Sequence, residues 1–340
     1  MEKADTNLTD IQFKHREYYY NRIFVLLEIV KLSSNRELVF LPIGKGFPVR
    51  CINASKLDIL RKNFEAFRFF QKNYNIYYSL AHLKSEWGMF SFHPVTRKTQ
   101  QVEFMQKFGD YFIGYDLGLD FDGNKSFQKD LVYYKGEKCK VMKKYYNDKE
   151  LYAYDLFFKD NIANVSINDA TELSVKEQIS RSLSDSKVLY DELMKYNISF
   201  SVRFSGNRGF HLNVDDESLP NVTPQEKVVI CDKLTKEFSK ILNLPTLDTS
   251  LCEKRRPWKM PYSLVNSNVC LPLTEFEFDN FRLENMNIIE VMDNIKLKER
   301  GLLERNSRLS KEMKNENFKK LLDDYEVKIE DDSKEKKSLI

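Results

Sequence analysis

Two apolar alternations separated by a short, Gly-bounded turn constrain this chain more than any other feature. Ile198, Phe200, Val202 and Phe204 alternate with Ser199, Ser201 and Arg203; after Ser205-Gly-Asn-Arg-Gly209, Phe210, Leu212 and Val214 alternate with His211 and Asn213. Period-two alternation on both sides of such a turn dictates an antiparallel hairpin with one buried face. Side chains at i and i+2 share a face, so Ser199, Ser201, Arg203, His211 and Asn213 stand together on the other side. The turn itself offers backbone N–H groups at Gly206 and Gly209, the Ser205 hydroxyl and the planar fork of Arg208, a set suited to an anion. The same residues read equally well as a plain turn in which Gly serves only the backbone.

The surroundings of the hairpin set the fold class. Residues 15–32 and 56–72 have helical spacing, 37–42 and 47–52 read as two strands around Gly44 and Gly46, and 77–80 as a short strand. A strand run is expected between 105 and 122, helices over 175–193 and 224–242, and charged helix over 284–322 before a solvated tail. This order predicts an α+β core rather than a doubly wound parallel sheet. The Lys- and Tyr-rich stretch 124–196 reads as a polar, partly helical insertion; residues 1–275 form the expected core and 276–340 a helical C-terminal segment. With 42% hydrophobic and 13% aromatic residues in 340, the chain can bury a large core, which excludes a disordered or low-complexity protein. The longest apolar stretch, 23–30, is broken by Glu28, and no secretory leader pattern stands at residues 1–10, so no membrane partner is expected.

Paired acids form a second constellation. In Gly114-Tyr-Asp-Leu-Gly-Leu-Asp120-Phe-Asp122, strand parity puts Asp120 and Asp122 side by side, with Leu119 and Phe121 directed into the core. Adjacent carboxylates repel unless a cation bridges them, and hard oxygen donors suit Mg²⁺ or Mn²⁺. Taken alone, the pair reads better as a solvated strand end running into Gly123. A third constellation is Leu247-Asp248 followed by Lys254-Arg-Arg-Pro-Trp258-Lys259-Met-Pro-Tyr262-Ser263, a carboxylate ahead of basic residues interleaved with aromatics. Such a mixture suits a polyanion that also offers flat bases, or an ordinary surface loop with a core Trp.

Charge does not choose between these readings. Lys and Arg number 54 against 51 Asp and Glu, a net +3, and what matters for a polyanion is clustering. Five scattered Cys (51, 139, 231, 252, 270) contain no C-x-x-C, which argues against a disulfide framework and a structural zinc site and suits a reducing, cytoplasmic compartment. Cys231 reads as a small buried hydrophobe, His15, His82 and His93 as structural or exposed, and no nucleophile–base signature, P-loop or G-x-G-x-x-G is present.

Taken jointly and in this order, the acidic strand pair, the Ser-Gly-x-Arg-Gly-x-His hairpin and the later Asp leading into a basic segment resemble the archaeo-eukaryotic primase catalytic core. The similarity is greatest to the small catalytic subunit of archaeal and eukaryotic DNA primase, and it spans about residues 15–275. Arg36-Glu-Leu-Val-Phe with Phe47-Pro-Val-Arg50, and Lys259-Met-Pro-Tyr-Ser263-Leu with Val269-Cys-Leu-Pro-Leu, are similar to further family segments. The resemblance implies synthesis of short primers on a single-stranded DNA template from nucleoside triphosphates. It implies that Asp120, Asp122 and Asp248 hold the divalent metals. Arg50, Ser205, Gly206, Arg208, His211, Lys259 and Ser263 would bind the nucleotide, and a large iron–sulfur subunit would be a partner.

Three positions depart from the family pattern. Between the acidic pair and the Ser-Gly turn the chain has Cys139 alone and no His, so the family's zinc site is not expected. The closing motif reads Ser263-Leu-Val-Asn-Ser-Asn268 where a His and a following Lys are usual, and Tyr77 stands where an acidic residue is common. A stand-alone primase-polymerase extending primers with dNTPs is the second reading, and a non-catalytic nucleic-acid-binding relative the third.

Overall fold

A computed structural model describes residues 16, 19, 35–43, 48–53, 74–84, 94–123, 131–134, 137–147, 150–166, 170–171, 175–265, 268–293 and 311–328. The helices expected over 15–32 (Arg16 and Tyr19 apart) and 56–72, the Gly44/Gly46 turn, Asn266, Ser267 and the terminal tail lie outside the described residues. Within them the fold is α+β, as expected.

One antiparallel sheet is built from β1 (Arg36–Pro42), β2 (Val49–Asn53), β3 (Tyr74–Leu83), β4 (Phe112–Tyr115) and β13 (Pro257–Lys259). Its order is β13-β3-β1-β2, and β4 shares an edge of β3 with β13, pairing at Ala81–Leu83 while β13 pairs at 77–79. The anticipated hairpin of β1 and β2 is therefore present, but the short strand at 77–80 is a ten-residue strand. A second sheet has the order β11-β12-β5, from Phe200–Phe204, Gly209–Val214 and Leu117–Asp122. Residues 271–273 bond along β11, and Phe121 bridges Leu247 on the far side of β5, so the sheet has five lines across.

The expected strand run over 105–122 is corrected at its start. Residues to Tyr111 belong to helix α1 (Pro94–Tyr111), and strand begins only at Phe112. The aromatic residues explain why: Phe104, Phe108 and Tyr111 recur at helical spacing, and Phe104 and Phe108 are buried with their rings edge to face. The predicted helices at 175 and 224 are present as α2 (Val175–Lys195) and α3 (Pro224–Ile241). α3 starts at a Thr223/Glu226 capping box with Pro224 in the first turn, which meets the orphan N–H groups of that terminus. The charged C-terminal helix is interrupted: α4 (Glu275–Asp279), a 3₁₀ turn at Leu283–Met286, α5 (Ile288–Asp293) and α6 (Lys311–Asp324) are separate elements. No helix among the described residues is long and apolar enough to cross a membrane.

The insertion differs most from expectation. Ahead of α2 it forms a third antiparallel sheet, order β10-β6-β7-β8-β9, from Leu131–Tyr134, Glu137–Asn147, Glu150–Phe158, Asn161–Ser166 and Ala170–Thr171. One face of it carries its own small core of Val132, Cys139, Val141, Tyr154, Leu156 and Val165, separate from the main core. Val and Tyr standing between Lys residues make amphipathic strands, whose polar half gives the segment the look of a polar insertion.

The first two sheets meet where β4 ends and β5 begins, and Asp116 is the residue between them. Fully buried, it accepts from Arg36 Nη2 at 2.5 Å and Asn213 Nδ2 at 3.3 Å, lies 2.7 Å from His82 Nε2, and takes the Asp216 N–H at 3.0 Å. Asp216 in turn receives Lys227 Nζ at 2.7 Å and the Tyr115 N–H at 2.6 Å. Burial pushes the Asp116 carboxyl up, but Arg36 and His82 more than offset this and hold it well below the usual range. Gly118 lets the two sheets close: a Cβ there would stand 2.7 Å from Leu80 and 3.0 Å from Trp258.

Candidate active site

β5 behaves as its sequence dictates. Leu117, Leu119 and Phe121 are fully buried, while Asp120 and Asp122 emerge half-buried on the opposite face. On one flank, β12 sets His211 opposite Asp120 and Gly209 opposite Asp122. On the other flank, the Asp248 N–H donates to the Asp120 carbonyl at 2.8 Å and the Asp122 N–H to the Thr246 carbonyl at 2.9 Å. With Phe121 opposite Leu247, this antiparallel register puts Asp248 beside Asp120, and directly opposite residues share a face. The three predicted carboxylates therefore come from two neighbouring strands and stand on one face. Residue 246 is anchored from α2, where Asp185 accepts both the Thr246 N–H (2.9 Å) and its hydroxyl (2.6 Å).

Asp248 is buried, and its Oδ1 accepts from the Ser250 N–H at 2.9 Å and hydroxyl at 2.7 Å. Among the described residues, no three His, Cys, Asp or Glu side chains are gathered closely enough to hold a metal ion together.

His211 sits at the centre, 2% exposed, with Nε2 3.3 Å from Asp120 Oδ1. Its ring lies on Trp258 at 4.3 Å between centroids and 32° between planes. Burial lowers its pKa from 6.5 to about 4; Asp120 opposes that shift, and the cationic Arg203 and Lys259 reinforce it. His211 is thus neutral at neutral pH. With Nε2–H directed at Asp120, its Nδ1 is a buried acceptor that meets no partner among the described residues. Arg203, cross-strand from His211, is buried against Tyr78 and Trp258, its guanidinium carbon 5.5 and 5.6 Å from the ring centroids, and it donates to the Tyr78 hydroxyl at 2.9 Å. Sequence reasoning placed Arg203 on this face but assigned it no role; the aromatic residues that hold it come from β3 and β13, far away in the chain.

The low His211 pKa has a measurable consequence. An unfolded His takes a proton below pH 6.5, whereas the folded one resists until about pH 4, so stability is lost as pH falls through that window. The shift corresponds to about 3 kcal/mol. In urea titrations at pH 7 and pH 4, His211→Gln is expected to lose less stability over this span than the wild type by about that amount; equal pH slopes would refute a neutral buried His211.

The Ser-Gly turn closes with the Ser205 N–H donating to the Gly209 carbonyl at 2.9 Å and Gly206 at φ +81°, in the left-handed region that favours Gly. It packs on the β14–β15 hairpin (Leu264–Val265 and Asn268–Val269): a Cβ on Gly206 would stand 3.2 Å from Cys270 N and from Val265. The Arg208 carbonyl takes the Gly123 N–H (3.2 Å) and the Ser182 hydroxyl (2.9 Å), fixing the turn to β5 and α2. The turn thus joins two segments that the sequence holds about 60 residues apart, Ser205–Arg208 and Ser263. Ser205 and Ser263 are buried, and Ser263 Oγ and Arg208 Nε are buried polar atoms with no hydrogen-bond partner among the described residues. Lys259, half-buried on β13 opposite Tyr77, is near enough for its charge to act on both His211 and Cys270.

Arg50 stands elsewhere. On β2, three strands from Lys259 and hence about 14 Å away across the sheet, its guanidinium donates to Glu37 Oε1 at 3.2 Å and Oε2 at 3.3 Å and to the Arg255 carbonyl at 2.7 Å. Arg255 also pairs with the buried Glu37, at 2.9 Å. Part of the basic segment 254–259 therefore neutralises an interior acid.

No protein-family model matches the chain, and no curated protein matches it. Among solved structures, it is similar to the polymerase domain of Mycobacterium tuberculosis Ligase D in complex with DNA, at TM-score 0.44 and 13% identity, over 86% of this chain and 90% of that one.

Proposed function

We propose that this protein is a template-directed nucleotidyltransferase, the catalytic subunit of a DNA primase, that makes short primers on single-stranded DNA from nucleoside triphosphates. The observation that carries this reading is the meeting of two chemistries on one sheet. Three carboxylates stand on one face, and beside them a Ser-Gly-Arg turn, Ser263 and Lys259 present donors, two of them with buried polar atoms that lack a protein partner. Unmet buried polar atoms cost stability, and a triphosphate bonded by Arg208 and Ser263 would remove that cost.

The donor set, all carboxylate oxygen from Asp120, Asp122 and Asp248, fits Mg²⁺ or Mn²⁺. Bound there, divalent metal would activate a 3′-hydroxyl and stabilise a leaving pyrophosphate. The chain's own groups do the rest. Ser205, the Gly206 backbone, Arg208, Lys259 and Ser263 would hold a triphosphate, neutralising its charge through fixed donors. His211, neutral, would orient Asp120, and Trp258 with Arg203 would orient His211. Arg50, paired with Glu37, would reach a nucleotide only by leaving that pair.

Incubation of the protein with unprimed single-stranded DNA, Mg²⁺ or Mn²⁺ and labelled NTPs or dNTPs tests this. Short products on the unprimed template are expected. Products only with a supplied primer and dNTPs would instead establish the second reading, a stand-alone primase-polymerase; no metal-dependent incorporation at all would refute both. The second reading draws support from the insertion, whose single Cys139 lies buried in an apolar cluster. Copurification with an iron–sulfur partner would favour the replicative subunit.

A further inference from the structure

The β6–β10 sheet has no part in the candidate active site, and its two faces differ sharply. One buries Val141, Tyr154, Leu156 and Val165. On the other, the register across β7, β8 and β9 sets Lys140, Phe157 and Ile162 in one row and Lys143, Asp155 and Asn164 in the next. Phe157 is 47% exposed and Ile162 64%, and Lys140 and Lys143 are exposed too. Beyond these rows, Tyr145 and the 51%-exposed Tyr152 bring their rings within 6.3 Å, with Lys143 Nζ 4.8 Å over the Tyr145 ring. Met142, the extra residue of a β-bulge, is exposed alongside. The carboxylate in the middle of this face, Asp155, is engaged by the Tyr145 hydroxyl at 2.5 Å and Asn164 Nδ2 at 2.8 Å, so its oxygens are turned toward neighbours on the sheet.

An exposed patch with several aromatic and apolar side chains marks a contact surface. Here its charges select the occupant: cations stand between flat rings, about 4.8 Å from strand to strand and about 7 Å along each strand. An apolar protein surface would strand those ammonium groups. A single-stranded nucleic acid offers phosphates to the cations and base faces to the rings. We propose that this face of the insertion is a platform for single-stranded nucleic acid, with Lys140 and Lys143 on phosphates and Phe157, Tyr152 and Tyr145 stacking on bases. The choice of a single strand as occupant rests on the template-directed reading above; the surface itself does not.

The test uses the full chain, with anisotropy of a labelled oligothymidylate over a salt series, on wild type, K140Q/K143Q, Phe157→Ala and Asp122→Ala. The double Lys variant is expected to reduce the slope of log affinity against log salt by about 1.4, two phosphate contacts at ~0.7 each. Phe157→Ala is expected to weaken binding ~10-fold, within the range for losing one base stack, and Asp122→Ala to bind as wild type; thermal melts should match for all four. Salt slope and affinity unchanged in the folded platform variants would overturn the proposal. So would a platform substitution that alters only the oligomeric state, because a second copy of the chain would then be the occupant. The two readings separate cleanly: platform-dependent binding without incorporation sustains this proposal and removes the catalytic one, and incorporation with platform-independent binding does the reverse.

Discussion

Asp122→Ala is expected to cut metal-dependent incorporation by at least ~10³-fold, equivalent to about 4 kcal/mol of transition-state stabilisation, while leaving the melting temperature within a degree or two of wild type. Asp122 is half-buried on the rim of β5, and the ladder to residue 246 runs through its backbone N–H, which Ala keeps. Asp120 is the more informative partner. Its Oδ1 faces His211 Nε2 at 3.3 Å, so Asp120→Ala also strips that contact from a buried ring. Asp120→Asn keeps an acceptor for that N–H but loses the anionic metal donor, and it should be as inactive as Asp120→Ala yet more stable. Primer extension with Mg²⁺ and Mn²⁺, read beside thermal melts, checks each of these. Wild-type-like extension by Asp122→Ala would sink the assignment of β5 as the metal-holding strand.

The second large effect is structural. Asp116→Ala is expected to destabilise the protein by about 3–5 kcal/mol, the usual consequence of removing one partner of a buried ion pair, and to lower the melting temperature by about 10 °C. Arg36 is 7% exposed and would be left with carbonyl, His82 and Tyr78-ring contacts but without the carboxylate that neutralises it. Asn213 Nδ2 and the Asp216 N–H would lose their common acceptor at the joint between the two sheets. Replacing Arg36 and Asp116 together by Leu should recover part of the loss, because no uncompensated charge is then buried. Calorimetry on the two single variants and the pair measures this directly. Additive losses would mean that Arg36 and Asp116 stabilise the joint independently, contrary to the geometry.

Some of this was legible in the chain. Parity alone placed Leu119 and Phe121 in the core with Asp120 and Asp122 outside it, and set Arg203 and His211 on the shared face of the hairpin. Those are local consequences of a two-residue period, and they survive any arrangement of neighbours. What misled was composition read without partners. Phe108 and Tyr111 read as the start of a strand because they run into one, and the Lys-rich β7 reads as part of a polar, partly helical insertion because its buried half consists of only a few residues such as Cys139 and Val141. Asp116 carried no signal at all, although it stands in the same motif as Asp120 and Asp122; its partners Arg36, His82 and Asn213 are 80, 34 and 97 residues away.

Residue order and periodicity were enough to specify an α+β chain, the hairpin, the capped α3 helix and which face of β5 bears acid, since each follows from backbone geometry within a few residues. Only the tertiary structure decided that Asp248 pairs alongside Asp120, that the Gly206 turn seats on Cys270 and Val265, and that His211 lies neutral between Asp120 and Trp258. It also took Arg50 into the Glu37 ion pair and turned the insertion into a sheet with one wet, aromatic and basic face. The physical reason is that burial, register between distant strands and the pairing of buried charge are properties of neighbours in space, and the chain order names those neighbours only after it has folded.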